Sequence, residues 1–288
     1  MDLDDGDAAP GLRCQVCGGD AYRPYTHDEA GDFVRCRDCG LIVRHPCSVS
    51  TSSEPPAPAQ EGYYDMYQGR RAHKVWDDGR RLQAFLHYLE MPHARQVDHL
   101  DIGCGLGSMV EAGATRLGLN SRGVDLPGHA VECCRGRGFD VAEGSLTATG
   151  AADGSFDLVT VINVLEHIPR TDDGLREIHR VLRPGGILGA IVPSGAYLKA
   201  HLLRQSYRNY HGKRATFHMT YHNRATISRL LIGNGFEPLS YPLLIRARLD
   251  GMCSALAETL VCVPRLIARD VLFITRMERE LLVIARRL

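Results

Sequence analysis

Short apolar runs alternate with segments of helical spacing through most of the chain, and this pattern predicts an α/β fold. The predicted strands are Val97–Ile102, Ser121–Asp125, Phe139–Ala142, Phe156–Ile162, Gly186–Val192, Phe236–Ile245 and Glu280–Ala285. The predicted helices are Arg70–Met91, Asp172–Leu182, Thr226–Asn234 and Met252–Ile274. In the second of these helices, one face is shared by Leu175, Ile178, His179 and Leu182. Alternation of this kind predicts a doubly wound, mainly parallel sheet of seven strands with helices on both sides.

Two C-x2-C pairs stand apart near the N-terminus. Cys14 and Cys17 are followed, after eighteen residues, by Cys36 and Cys39. Four thiolates at this spacing are typical of a structural Zn²⁺ site in a small ribbon, and they leave no coordination position for a catalytic water. Two alternatives remain open: the pairs are coincidental, or one of them is a redox pair.

Composition and charge narrow the class of protein. Of the 288 residues, 44% are hydrophobic and 24% charged, which excludes disorder for most of the chain. No stretch approaches the ~20 apolar residues that a membrane-spanning helix needs. The acidic start, Met1-Asp2-Leu3-Asp4-Asp5, is unlike an export signal, so we expect a cytoplasmic protein.

The net charge of zero conceals an asymmetry between the two ends of the chain. Residues 1–50 contain five Arg and nine Asp or Glu, a net of −4, whereas residues 199–288 contain fifteen Lys or Arg and six Asp or Glu, a net of +9. A neutral total argues against a general nucleic-acid binder. The basic end is consistent with a local anionic partner or with a solvated surface.

A glycine-rich loop follows the first predicted strand and carries the candidate chemistry. Gly103, Gly105 and Gly107 alternate where strand turns into helix, and Asp125 follows twenty-two residues after the first glycine, at a position suited to a ribose diol. The dinucleotide fingerprint requires glycine where this loop has Ser108. Asp101 would attract an ammonium group and repel a phosphate. The loop therefore favours a nucleoside with an amino-acid tail over a pyrophosphate.

These motifs resemble those of a known family. The run Asp101 to Gly107 resembles motif I of class I S-adenosylmethionine-dependent methyltransferases. Further stretches look like the same family, in order: Gly123-Val124-Asp125, Phe156-Asp157-Leu158-Val159, Val164-Leu165-Glu166-His167-Ile168 and Val181-Leu182-Arg183-Pro184-Gly185-Gly186. They are similar to the branch that contains ubiquinone-biosynthesis O-methyltransferases. The cysteine pairs, Tyr63-Tyr64-Asp65 and Cys39-Gly40-Leu41-Ile42-Val43 resemble a subset with an N-terminal zinc ribbon, which includes deoxysugar and natural-product methyltransferases.

The resemblance implies a Rossmann-like fold and a division of the chain into five parts. These are a zinc ribbon at 1–47, a Ser- and Pro-rich linker at 48–62, a helical cap over the cofactor site at 63–95, a cofactor-binding methyltransferase domain at 96–245 with an acceptor lid at 194–224, and a C-terminal helix and strand at 246–288. It also implies S-adenosyl-L-methionine and structural Zn²⁺ as cofactors. The residues that it places at S-adenosylmethionine are Tyr64, Asp101, Gly103, Gly105, Gly107, Asp125, Leu126, Gly144, Ser145, Leu146, Asn163 and Val164.

A general base is needed only if the acceptor must lose a proton. His167 is the first candidate and Glu166 its neighbour, because both follow the fourth strand at the edge where ligands bind in such sheets. His218 and His222 are alternative bases. Equally, Glu166 and His167 are consistent with a purely structural role in shaping the loop.

The segment between Tyr197 and Arg224 interleaves cations with tyrosines, an arrangement suited to clamping an anionic group and stacking a ring. Candidate acceptor-binding residues are Arg204, Arg208, Tyr210, Arg214 and Tyr221. A solvated surface explains the same pattern. The four histidines of this segment are spaced too irregularly to favour a metal site.

Three functions are compatible with these features. The first is methyl transfer to a small molecule, a natural-product, sugar or nucleotide-linked acceptor, for which the basic segment favours an anionic group. The second is RNA methylation with the ribbon as a docking module, which the acidic ribbon disfavours because such a module should present cations to phosphates. The third is a non-catalytic cofactor-binding protein, which the intact glycine loop disfavours. The sequence leaves open the acceptor, the methylated atom and the oligomeric state.

Overall fold

A computed structural model describes residues 9, 11–28, 31–46, 69–89, 96–195, 218–239 and 280–288. These residues form two β-sheets, one of seven strands and one of four. The larger sheet packs against helices on both faces, and the smaller one is built mainly from the cysteine-rich N-terminal segment. Among the described residues, no helix is both long enough and apolar enough to cross a membrane.

The seven-stranded sheet confirms the predicted α/β fold. Its strands are β4 (Asp98–Ile102), β5 (Asn120–Asp125), β6 (Asp140–Glu143), β7 (Phe156–Ile162), β8 (Leu182–Pro193), β10 (Phe236–Pro238) and β11 (Glu280–Arg287). Their order is β10-β11-β8-β7-β4-β5-β6. The five strands from β8 to β6 are parallel, and β11 pairs antiparallel with both β8 and β10. Parallel pairing places the carboxyl ends of β4, β5 and β7 at one edge, where ligands bind in open sheets.

The smaller sheet joins the N-terminal segment to the rest of the protein. Its strands are β1 (Tyr22–Asp28), β2 (Gly31–Cys36), β3 (Ile42–Arg44) and β9 (Thr220–Tyr221), all antiparallel to their neighbours. The last of these lies more than 170 residues further along the chain than β3. The N-terminal segment is therefore paired, strand to strand, with the segment that follows the large sheet's central strands.

Five helices are described: α1 (Arg71–Leu86), α2 (Ser108–Glu111, continued by a π-helical turn at Ala112–Arg116), α3 (Gly128–Arg135), α4 (Thr171–Val181) and α5 (Arg224–Gly233). A short 3₁₀ turn covers Leu165–His167. In α4, Leu175, Ile178 and Val181 bury one face in the main core. Leu175 and Ile178 were predicted on this face, whereas the predicted His179 is only partly buried. Acidic residues in its first turn and basic ones in its last complement the helix dipole.

The predicted elements differ from the observed ones mainly at their ends. Residue Leu182, predicted as the end of α4, is the first residue of β8, because it already pairs with Phe156 of β7. The helix predicted over Arg70–Met91 ends at Leu86. Of the strand predicted over Phe236–Ile245, the part beyond residue 239 lies outside the described residues, and so does the whole helix predicted at Met252–Ile274.

Candidate functional site

The glycine-rich loop lies at the carboxyl edge of the sheet, between β4 and α2. Its amide groups at Gly103 and Cys104 donate hydrogen bonds to the carbonyl of Val124 on β5, at 2.7 and 3.2 Å. Gly103 has a φ of +74°, and a Cβ there would lie 2.3 Å from a methyl carbon of Val164. Gly105 has a φ of +53°, and a Cβ there would meet no described atom within 4 Å. The loop thus packs against Val164 on one side and leaves open space at Gly105.

Asp125 ends β5 and points its carboxylate at this loop. The carboxylate accepts hydrogen bonds from the backbone amides of Gly105 and Leu126, the latter at 2.8 Å. Burial raises the pKa of Asp125. Asp125 therefore fixes the loop's shape, and it stands where a ligand in the open space at Gly105 would meet it.

Asp101, at the end of β4, is buried and is supported from beneath by a chain of hydrogen bonds. Its carboxylate accepts a 2.6 Å bond from the hydroxyl of Thr160, and that hydroxyl lies 2.9 Å from Nε2 of His99. Nδ1 of His99 lies 2.6 Å from the Ser121 hydroxyl. Burial lowers the pKa of His99 to about 3, so the imidazole is neutral, and it raises the pKa of Asp101 to about 7. A buried carboxylate in this state would be stabilised by a cationic ligand group.

Helix α1 closes over the glycine loop through a buried acid that the sequence analysis did not single out. Asp78 accepts a 2.6 Å hydrogen bond from the hydroxyl of Ser108, the first residue of α2. It also pairs with Lys74 at 3.1 Å and with Arg81 at 2.6 Å. Further along the same face, Phe85 packs on Gly189 of β8, where any side chain would collide with its ring. The sequence could have indicated Asp78, because it lies on the apolar face of the helix and a buried acid is rare unless it is paired.

Replacing Asp78 with alanine is expected to lower the free energy of unfolding by about 1–3 kcal/mol, because the Ser108 hydroxyl and two cations lose a buried acceptor. Urea denaturation measures this change. Asp77→Ala is the matched control on the same helix. Asp77 is partly buried and pairs at 3.1 Å with the exposed His73, and its loss should change stability by less than about 1 kcal/mol. Equal stability of the two variants would contradict a role for Asp78 in fastening α1 to the loop.

The predicted residues after β6 and β7 surround the same edge. The Gly144 amide donates to the carbonyl of Asp125 at 3.0 Å, and Ser145 pairs with Ala148 in a tight turn. Leu146 is buried in the main core and packs on α4. Asn163 adopts a φ of +56°, which is uncommon for a residue with a side chain. This conformation turns the chain after β7 and brings Val164 against Gly103.

Glu166, His167 and His218 come together beside this turn. Glu166 is 1% exposed, and its Oε2 has no hydrogen-bond partner among the described residues. Its Oε1 lies 3.9 Å from Nε2 of His218, and the rings of His167 and His218 meet edge to face at 4.9 Å between centroids. Burial raises the pKa of Glu166 to about 8. The cluster holds three titratable groups, and one side-chain oxygen or nitrogen atom of each lies within 4.8 Å of those of the other two.

Two further candidate site residues, Tyr221 and His222, follow His218 along the chain and have different surroundings. Tyr221 is buried, and its hydroxyl lies 3.0 Å from Nδ1 of His218. His222 is also buried, with Nε2 at 3.0 Å from the Thr171 hydroxyl, and burial lowers its pKa to about 4. His222 therefore contacts the start of α4 rather than the cluster around Glu166. Tyr64, Arg204, Arg208, Tyr210 and Arg214 lie outside the described residues.

The four N-terminal cysteines converge as their spacing predicted. The sulfurs of Cys14 and Cys39 are 3.5 Å apart, those of Cys17 and Cys36 are 3.6 Å apart, and all four lie within 4.8 Å of one another. Sulfurs bound tetrahedrally at about 2.3 Å from one zinc ion would be about 3.8 Å apart. The donor set and its spacing fit a zinc ion.

Comparison with known proteins places this site in context. Residues 100–190 match the family model described as a methyltransferase domain. The chain is 33% identical over 153 residues to the ubiquinone biosynthesis O-methyltransferase of Methylococcus capsulatus, covering 47% of this chain and 62% of that one. It is 30% identical over 142 residues to the norajmaline N-methyltransferase of Rauvolfia serpentina, covering 43% and 47%. The chain thus spans about half to three fifths of the length of these relatives.

Among solved structures, the fold is similar to an S-adenosylmethionine-dependent methyltransferase from Archaeoglobus fulgidus. The TM-score is 0.52 at 18% identity, over 78% of this chain and 99% of that one. The structural similarity establishes the Rossmann-like fold. Because the sequence identity is low, it establishes nothing about the reaction. The matched range 100–190 contains the glycine loop, Asp125 and the Glu166-His167 pair.

Proposed function

We propose that this chain is an S-adenosylmethionine-dependent methyltransferase that acts on a small-molecule acceptor. The observation that carries the proposal is the presence of two carboxylates at an open glycine loop within the matched methyltransferase domain: the buried Asp101, which ends β4, and the partly buried Asp125, which ends β5. One carboxylate suits an ammonium group and the other a ribose diol, which are the two polar ends of this cofactor.

The cofactor, when bound, supplies a methyl group attached to a sulfonium sulfur. When the methyl group is transferred to the acceptor, the remainder of the cofactor is released as a neutral thioether. Asp101 would hold the ammonium, supported by Thr160 and His99. Asp125 would accept hydrogen bonds from the ribose hydroxyls while keeping its bond to the Gly105 amide. Leu126, immediately after it, would line the adenine. These residues contribute by holding the methyl carbon in line with the acceptor, where proximity alone supplies much of the acceleration.

His167 is the proposed general base for an acceptor that must lose a proton. The proton would pass from the acceptor's hydroxyl or amine to the imidazole of His167, with His218 and Glu166 beside it to share the charge. The relatives methylate oxygen in one case and nitrogen in another, as their names state, so the atom methylated by this chain stays open. The cluster supports either chemistry, because both can require removal of a proton.

The acceptor is proposed to be anionic or nucleotide-linked and bound by the basic segment 197–224. Single replacement of Arg204, Arg208 or Arg214 by alanine is expected to raise the KM for the acceptor and to leave cofactor affinity unchanged. Added salt should raise KM in the same direction, because exposed ion pairs are screened. Wild-type acceptor kinetics in all three variants, or a neutral acceptor, would contradict this role and show that the segment is a solvated surface.

The cysteine cluster is proposed to bind one structural zinc ion through Cys14, Cys17, Cys36 and Cys39. Four sulfurs at the observed separations support it, and with all four positions taken by thiolates the ion would have no catalytic role. Elemental analysis of protein purified without chelator should give one zinc per chain. Protein that is folded yet free of zinc would contradict the assignment.

Turnover tests the proposed function. Purified protein with S-adenosylmethionine and a panel of phosphorylated, nucleotide-linked and phenolic small molecules should produce S-adenosylhomocysteine, detected by mass spectrometry, with at least one acceptor. An RNA gel shift with salt titration separates the nucleic-acid alternative, which the net charge of −4 in residues 1–50 disfavours. Tight RNA binding with RNA-dependent turnover would overturn the small-molecule proposal. Cofactor binding with no turnover on any acceptor would favour a non-catalytic protein.

A further inference from the structure

We propose that the cysteine-rich N-terminal segment forms one wall of the catalytic site, with Arg44 as the residue that positions His218. This inference deepens the proposed function, since it assigns to the N-terminal segment a role in the same site. It rests on contacts that the segment 218–221 makes with β2 and β3 on one side and with Glu166 on the other.

Backbone pairing fixes the segment to the ribbon. In the antiparallel ladder between β3 and β9, Ile42 is opposite Tyr221 and Val43 is opposite Thr220. The ladder continues with the Arg44 amide, which donates to the carbonyl of Met219 at 2.9 Å. A strand of only two residues has little stability of its own. The conformation of β9 therefore depends on β3 as a template.

The Arg44 side chain adds a second attachment directly at His218. Its Nε donates to the His218 carbonyl at 3.2 Å, and the Arg44 side chain is buried, with 3% of the residue exposed. The guanidinium also stacks over the ring of Phe33, 4.4 Å from the centroid. Burial of a guanidinium is costly unless its donors are used. The hydrogen bond to His218 and the stacking on Phe33 offset part of the cost of burying Arg44.

The imidazole of His218 is held through a third contact. Phe33 of β2 packs on Tyr221, with 5.5 Å between ring centroids, and the Tyr221 hydroxyl lies 3.0 Å from Nδ1 of His218. That bond sets which nitrogen of the ring faces the rest of the site. The ribbon thus governs both the backbone of His218, through Arg44, and its ring orientation, through Phe33 and Tyr221.

The opposite side of the segment faces the proposed base. The Met219 amide donates to the carbonyl of Glu166 at 2.6 Å, and Nε2 of His218 lies 3.9 Å from the Glu166 carboxylate. Met219 therefore links two parts of the protein: its carbonyl accepts a hydrogen bond from Arg44 of the ribbon, and its amide donates one to Glu166 in the loop after β7. A displacement of β3 would change the distance between His218 and the pair formed by Glu166 and His167.

The test compares Arg44→Met and Arg44→Lys with a matched control, Arg23→Met. Arg23 is an exposed arginine on β1 of the same ribbon. Arg44→Met removes the Nε donor and keeps an unbranched apolar stem. We expect it to retain zinc and cofactor affinity and to lower kcat about tenfold to hundredfold, the size of effect that misplacement of reacting groups produces. Arg44→Lys should restore activity only partly, because an ammonium cannot reproduce the guanidinium geometry.

Hydrogen exchange keeps this inference separable from the proposed function. Arg44→Met should accelerate amide exchange of residues 218–222 by about fivefold or more, with no change in residues 156–162. Exchange is measured without any acceptor, so it reports on Arg44 even if no substrate turns over. Tyr221→Phe, which deletes one hydroxyl, is the second variant in case Arg44→Met fails to fold, and should lower kcat while leaving zinc content unchanged. Unchanged exchange together with unchanged kcat in Arg44→Met would overturn the inference.

Discussion

Replacing Asp125 with alanine is expected to weaken S-adenosylmethionine binding about tenfold to hundredfold. The variant would lose the proposed bonds to the ribose hydroxyls, and bonds to a charged acceptor contribute about 1.5–3 kcal/mol. It would also lose the acceptor for the Gly105 amide, so the glycine loop would have to be ordered by the ligand alone. Isothermal titration calorimetry measures the change directly.

Asp140→Ala is the control for this measurement. Asp140 begins the neighbouring strand β6, where it forms an exposed pair with Arg122, three residues before Glu143, the residue of β6 that is opposite Asp125. It removes the same charge without touching the proposed site, and cofactor affinity should be retained. Unchanged affinity in Asp125→Ala would remove this residue from the cofactor site.

Removal of the proposed zinc ion is the second change with a large expected effect. Metal binding contributes about 10–16 kcal/mol to folding in zinc-finger peptides, and the small hydrophobic cluster around Tyr22, Val34 and Leu41 is too small to replace that contribution. A strong chelator should therefore unfold the ribbon, measured as rapid proteolysis within residues 11–46. Because β9 pairs with β3, residues 218–222 should lose protection from hydrogen exchange at the same time.

The seven-stranded sheet should persist through chelation, since it has its own core. Cofactor affinity should accordingly be retained when zinc is lost. Cys36→Ser is the matched variant and should reproduce the effect of the chelator, whereas Cys133→Ser, on α3 and outside the cluster, should not. A ribbon that stays protected after complete removal of zinc would contradict the structural role of the metal.

The parts of the fold that the sequence predicted well are those with a local signature. Strand Phe156–Ile162 was predicted with its observed ends, because a strand buried on both faces is mainly apolar along its whole length, here with only Asp157 and Thr160 as polar positions. Helix α4 was predicted to within one residue at each end, from the helical spacing of Leu175, Ile178, His179 and Leu182. The cysteine pairs and the glycine loop were predicted because both need particular residue types at fixed spacing.

The remaining features depend on contacts between distant segments. A two-residue strand such as Thr220–Tyr221 has no pattern of its own and exists because Ile42 and Val43 pair with it. The support beneath Asp101 joins His99, Thr160 and Ser121 from three strands, which no single stretch of sequence reveals. The proximity of His218 to Glu166 was missed for the same reason, although each residue was a candidate separately.

Cofactor choice is the most direct test of the central claim, that the loop from Asp101 to Gly107 is built for S-adenosylmethionine. A calorimetric titration should show saturable binding of S-adenosylmethionine at one molecule per chain, weakened in Asp125→Ala and retained in Asp140→Ala. A nicotinamide dinucleotide titrated under the same conditions should bind weakly or not at all, because Asp101 disfavours a phosphate. Preference for the dinucleotide, or no binding of S-adenosylmethionine by the folded protein, would contradict the account.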